Sequence, residues 1–191
     1  MTAAKTLAAR LAQFHELLSA CACTDAQGVA MAFEEAQARM MDLLTRTHGQ
    51  GNRLFLVGNG GSAAVASHAA TDVFNAVGMM AHTLHDTAQL TCMANDFGYE
   101  QAYARLLSRA VRAGDVLVAI SSSGRSRNIC AAAEQAKALG ARVVTLSGFA
   151  ADNPLRAAGE LNYWLDSRDY GLVEIGHQFI LHNLTDRFLE A

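Results

Sequence analysis

The chain begins with apolar residues at three-and-four spacing, Leu7, Leu11, Phe14, Leu17 and Leu18, and resumes that spacing at Val29, Met31, Phe33, Ala36, Met40 and Leu43 after a break at Thr24-Asp25. The period predicts two leading helices. It then changes. Residues 53–57 form a short apolar run ending in Gly58-Asn59-Gly60-Gly61, a strand delivered into a glycine turn, and the helical pattern restarts at Ser62 and reaches about Ala76. The unit recurs: 115–120 (DVLVAI) runs into Ser121-Ser122-Ser123-Gly124, and 126–139 is helical in pattern until Gly140 stops it. Residues 142–146 and 161–165 read as further strands, 81–84 as a weaker one, and 171–189 as a closing helix. Strands that are apolar throughout and separated by single helices predict a parallel sheet covered on both faces. The expected architecture is therefore α/β, a three-layer doubly wound fold with leading helices, in one domain over residues 1–191. In such sheets ligands bind beyond the carboxyl ends of the strands, where the glycine turn and the serine loop both fall.

Composition narrows the function classes. A 51% hydrophobic and 17% charged chain of 191 residues can bury a core, which excludes broad disorder. The net charge of −3 and pI near 6.1 provide no basic field for a polyanion, so nucleic acid is not an expected partner. Four cysteines, with no C-x-x-C pair, read as reduced thiols in a cytoplasmic protein. Arg10, His15 and Glu16 interrupt the first apolar pattern, and no apolar run approaches the roughly 20 residues that span a bilayer, so no membrane insertion is expected.

Candidate chemistry lies in the loops and on two helices. Ser121-Ser122-Ser123-Gly124-Arg125-Ser126 gathers four hydroxyls at a positive helix end, which suits a phosphate. Helix capping alone needs only one of those serines. Gly58, Gly60 and Ala63 satisfy a loose dinucleotide fingerprint, but no acidic residue ends the next strand at the expected offset of ~20 residues, which favours a sugar phosphate over a nicotinamide cofactor. His68 and Asp72 are four apart and share a helix face. Glu174 and His182, eight apart, differ by only about 80° around the closing helix, with Gln178 between them. Two histidines and two carboxylates can hold a divalent metal, zinc being the natural occupant, or they can be a surface pair and a core histidine. Which of His177 and His182 faces the site is open at this point. Asn95-Asp96-Phe97-Gly98-Tyr99 reads as a polar turn between two helical patterns.

Taken in order, G-N-G-G-S-A-A followed by His68, then A-N-D-F-G-Y-E, then I-S-S-S-G-R-S, resemble the SIS (sugar isomerase) domain family, and within it the phosphoheptose isomerases, over essentially the whole chain. The resemblance implies a flavodoxin-like fold with a five-stranded parallel sheet. It also implies a homotetramer with sites at subunit interfaces, to which residues 1–50 contribute, and a cytoplasmic enzyme of a kind that often carries zinc. The implied reaction converts sedoheptulose 7-phosphate to an aldoheptose 7-phosphate for bacterial surface-polysaccharide precursors. By position, Ser121, Ser122, Ser123 and Ser126 would contact phosphate, while Asn59, Gly60 and Ser62 would face the sugar and Asp96 and Glu174 would contact substrate. His68, Asp72, Glu174 and His182 would bind metal, with Asp72 and His182 catalytic. Asp72 stands where the family has glutamate, and Glu174 where it has glutamine. The other reading is a non-catalytic SIS regulator that binds a phosphosugar or a protein partner.

Overall fold

The structure, a computed structural model, describes residues 6–190; the outermost residues of the expected 1–191 domain, 1–5 and 191, lie outside that range. Helix α1 (Leu7–Ser19) leads into a hairpin, β1 (Ala22–Asp25) and β2 (Ala30–Met31), and then α2 (Phe33–Gly49). Strand β3 (Leu54–Val57), α3 (Gly61–Val77) and β4 (Ala81–Thr83) follow. After α4 (Thr87–Phe97) and α5 (Ala102–Ala110) the chain alternates through β5 (Val116–Ser121), α6 (Arg127–Ala138), β6 (Arg142–Gly148) and β7 (Leu161–Leu165), closing with α7 (Tyr170–Glu190). The sheet order is β2-β1-β7-β6-β5-β3-β4.

The five expected parallel strands are all present and parallel, but the sheet has seven strands rather than five. The two extra strands come from the Thr24-Asp25 break. There the Asp25 carboxylate accepts hydrogen bonds from the Gln27 and Val29 amides, both at 2.9 Å, and Gly28 takes the left-handed conformation. The side chain thereby commits the backbone to a turn, so Val29 and Met31 precede α2 instead of opening it. The hairpin pairs antiparallel with β7. Asn95 and Asp96 also differ from expectation: they occupy the last turn of α4, and Gly98 alone makes the break, with a φ of 81°.

Strands β3, β5 and β6 divide their side chains between two cores, which explains why no polar alternation is visible in them. Val116, Val118 and Ile120 of β5 face α3 and α7 on one side, whereas Leu117 and Ala119 face α5 and α6 on the other. Strand order reverses between β3 and β5. The connections after these strands run to opposite sides of the sheet and leave a crevice at their carboxyl ends.

His177 of α7 is fully buried, and its Nε2 lies 3.1 Å from the Ser147 carbonyl oxygen, while Nδ1 has no partner. Burial depresses its pKa to about 4, so the ring is neutral at pH 7 and belongs to the core. Since the unfolded chain binds this proton near pH 6.5, its contribution is complete above that pH and is lost as pH falls toward 4, by on the order of 3 kcal/mol. Urea unfolding of the wild type should weaken between pH 6.5 and 4.5, and His177→Gln, which keeps a donor for Ser147, should weaken measurably less over the same interval.

Candidate active site

The crevice is built by the two loops that leave β3 and β5. Gly60, with a φ of 53°, turns the chain into α3, and Gly124, with a φ of 63°, does the same before α6. A side chain at Gly124 would collide with Asn153, so glycine is required there on two grounds. The loops are tied together by a reciprocal carboxamide pair. Asn59 Nδ2 donates to Asn128 Oδ1 at 2.9 Å, and Asn128 Nδ2 donates back to Asn59 Oδ1 at 2.8 Å. The Tyr99 hydroxyl also donates to Asn59 Oδ1, at 2.8 Å. Beneath them the buried Tyr103 hydroxyl donates to the Gly58 carbonyl at 2.8 Å, and burial pushes its pKa up to about 12, so it remains a donor.

A cavity of about 160 Å³ opens between these loops, lined by Asn59, Ser62, Ile120, Ser121, Ser122, Ser123, Ser126, Tyr170 and Glu174. Its hydroxyls are not helix caps. Ser121 donates to Ser126 Oγ at 3.1 Å, Ser126 makes no side-chain cap to α6, and α3 likewise starts without one. Ser122 is buried, and its Oγ has no hydrogen-bond partner. Two helix amino ends meet at one polar cavity lined by serines, one of which carries an unsatisfied buried hydroxyl, and together they suit an anion. Arg125 and Arg127 lie outside it, paired at the surface with Asp152 and Glu100.

Beside that cavity, α3 and α7 line an open groove with Gly61, Ala64, Val65, His68, Glu174, Ile175, Gln178 and His182. Asp72 Oδ2 lies 3.3 Å from His68 Nε2 and 3.3 Å from His182 Nδ1, and one ligand atom from each residue falls within 4.8 Å of the others. Neither contact has hydrogen-bond geometry, so the buried Oδ2 points between the rings without a bonded partner. Ligands about 2.0–2.2 Å from a tetrahedral zinc stand roughly 3.4 Å apart, a spacing that the two Asp72–histidine distances of 3.3 Å match. The group fits a divalent cation. His182, not His177, therefore belongs to the site.

Of the expected residues, Asn59, Ser62, the four serines and Glu174 meet in the cavity, and His68, Asp72 and His182 meet in the groove. Gly60 shapes the turn without lining the cavity. Glu174 is outside the ligand cluster; its carboxylate packs over Gly61, where a β-carbon would displace it, and lines both the cavity and the groove. Asp96 is exposed on α4, accepts from Asn95 Nδ2 and Cys92 Sγ, and does not reach the cavity. Tyr99 of the same motif is the residue that reaches in, through Asn59. Asn128 and Tyr170 went unread in sequence, because each joins the site from a loop or helix start that carries no periodic signal.

This is a doubly wound α/β protein whose switch-point loops form an anion seat beside a histidine–carboxylate group. Residues 12–148 match the SIS domain family. The phosphoheptose isomerase of Mycobacterium tuberculosis is 35% identical over 169 residues, covering 82% of this chain and 83% of that protein. That of Streptomyces coelicolor is 34% identical, covering 85% and 73%. Among solved structures, phosphoheptose isomerase GmhA from Neisseria gonorrhoeae superposes with a TM-score of 0.82 at 25% identity, over 97% of each chain. The chain belongs to the SIS domain family.

The partnerless Ser122 hydroxyl provides a direct check. Ser122→Ala removes no protein hydrogen bond, so unfolding stability should stay within about 0.5 kcal/mol or rise, whereas phosphate or phosphosugar affinity should fall on the order of tenfold, the worth of one hydrogen bond to a charged group. Calorimetric titration alongside thermal unfolding reads both.

Proposed function

We propose that this chain is an aldose–ketose isomerase of phosphorylated sugars, converting sedoheptulose 7-phosphate to an aldoheptose 7-phosphate through an enediol. The carrying observation is that Glu174 lines both the anion seat and the imidazole–carboxylate groove, so one extended ligand can occupy the two together. The phosphate end rests against Ser121, Ser122, Ser123 and Ser126. The carbonyl end lies over His68, Asp72 and His182. The names of the relatives support this reading.

In this mechanism a base takes the proton from C1, and an acid protonates the C2 carbonyl oxygen, giving the 1,2-enediol. Return of a proton to C2, with loss of the O1 proton, leaves the C1 aldehyde. Asp72 and His182 are the two proton-handling groups. Asp72 meets both rings through Oδ2 and His182 meets Asp72 through Nδ1, so Oδ1 and Nε2 remain for proton transfer. Glu174 positions the middle of the sugar and is within one turn of helix of Gln178 on the same groove. His68, Asp72 and His182 would hold a zinc ion, and its chemistry when bound would be to polarise the substrate oxygens. Aspartate in place of the family's glutamate withdraws the carboxylate by about 1.5 Å, and Glu174 adds a charge that glutamine lacks.

A cytoplasmic location and a role in surface-polysaccharide precursor supply are part of this reading. Among the described residues no helix is long and apolar enough to cross a membrane. Assembly as a homotetramer with sites at subunit interfaces is supported by apolar side chains left exposed along α1 (Leu7, Leu11) and along α7 beside the groove (Ile175, Phe179). In this arrangement residues 1–50 serve the assembly and the whole chain forms one SIS domain.

Incubation of the protein with five- to seven-carbon ketose and aldose phosphates should show interconversion of the seven-carbon pair and proton exchange at C1 and C2. Asp72→Asn and His182→Gln should each lower turnover by about 10² to 10⁴. Zinc content measured by elemental analysis should approach one ion per chain and fall in His68→Ala. Phosphosugar binding without proton exchange, in zinc-loaded protein, would identify the chain as a regulator instead.

A further inference from the structure

The anion seat adjoins a second cavity. Glu174 is common to the seat and the groove, and Ser123 is common to the seat and a separate cavity of about 330 Å³ formed with Arg125, Phe149, Ala150 and Arg168. Tyr170 lines the seat and Phe149 lines the second cavity, and their rings meet edge to face with centroids 4.8 Å apart. Phe149 has a φ of 59°, the one non-glycine residue among those described with a positive φ, and its amide donates to the Ser167 carbonyl at 3.0 Å. A bulky residue held in the left-handed region costs stability on the order of 1 kcal/mol or more, and such positions cluster at ligand sites. The cavity carries two guanidinium groups and no carboxylate in its lining. Arg168 is exposed and makes no side-chain hydrogen bond or ion pair with a described residue, and Arg125 is paired only with the exposed Asp152.

The placement decides what this cavity is for. The reacting end of a phosphosugar leads from the seat toward Glu174, whereas the arginine cavity adjoins the seat at Ser123 and has no residue in common with the groove. We propose that Arg125, Arg168, Ser123 and Phe149 form a second anion subsite that receives the outer phosphoryl group of a diphosphate whose inner phosphoryl group sits in the serine loop. Arginine is the side chain suited to this, since its planar fork pairs two donors with phosphate oxygens. The ligand class is a small diphosphate, free or esterified, which competes with the phosphosugar for the serine seat. The inference rests on the serine loop as a phosphate seat, not on isomerisation.

Titration calorimetry with orthophosphate and pyrophosphate tests it on the full chain. The wild type should bind pyrophosphate at least tenfold more tightly than orthophosphate. The double variant Arg125→Ala/Arg168→Ala should reduce that ratio to within threefold while leaving orthophosphate affinity unchanged. Arg127→Ala, an exposed arginine that lines neither cavity, controls for net charge and should preserve the ratio. Equal affinity for the two anions in the wild type, a parallel loss of both in the double variant, or the same loss in Arg127→Ala would overturn the proposal, as would absence of binding by either anion. A nucleoside diphosphate that matches pyrophosphate supports an esterified ligand, and one weaker by more than tenfold supports free diphosphate. Isomerase assays on the same preparations separate the two readings: a preserved ratio without turnover leaves the subsite standing and removes the enzyme assignment.

Discussion

The divergence of the chain at β3 and β5 is the constraint on which the site depends. Adjacent parallel strands whose following helices leave toward opposite sides cannot close the space above their carboxyl ends, so backbone amides and loop side chains must face one another across a crevice. Here the crevice is held at a fixed width by the Asn59–Asn128 carboxamide pair, to which Tyr99 adds a third hydrogen bond. Each asparagine satisfies the other, so the two loops are joined without drawing on the Ser122 hydroxyl, which keeps no protein partner.

The second half of the site comes from a different kind of contact. Helices α3 and α7 pack on the same face of the sheet and share a core of Val65, Ala66, Ala69, Val73, Val173 and Ile180. The small residues on α3 let the two helices approach closely enough that Asp72 reaches His182. Gly61 extends this logic to the first turn of α3, where the absence of a side chain leaves room for the Glu174 carboxylate. The serine-lined cavity and the histidine group are thus coupled through rigid elements, the loop on the sheet and the groove between helices, and α7 contributes to both.

The central strands β3 and β5 were legible in the sequence because every residue of each is buried and all but the terminal Ser121 are apolar. The His68–Asp72 and Glu174–His182 pairs were legible because helical spacing fixes their faces. The hairpin was not. Its outer strand is two residues long, and Val29 and Met31 happen to continue the spacing of α2, so only the Asp25 side chain, through its hydrogen bonds to Gln27 and Val29, separates the two outcomes. Asn95 and Asp96 misled in the opposite direction, since polar residues on a helix with no buried position resemble a turn. Asn128 and Tyr170 act across the crevice, and no local pattern encodes such a meeting. The exclusion of Glu174 from the ligand cluster likewise depends on where the carboxylate comes to rest, not on which face of the helix carries it.

The hairpin has an effect on how copies of this molecule can meet. An open sheet with a bare margin invites a neighbour to add its own strand, and continued addition produces fibres. Here one margin ends in the two-residue β2 and the other in the three-residue β4, neither long enough to template a partner. Growth by backbone pairing is thereby suppressed at both borders, which leaves side-chain surfaces as the means of self-recognition and favours closed assemblies of limited size over open-ended ones.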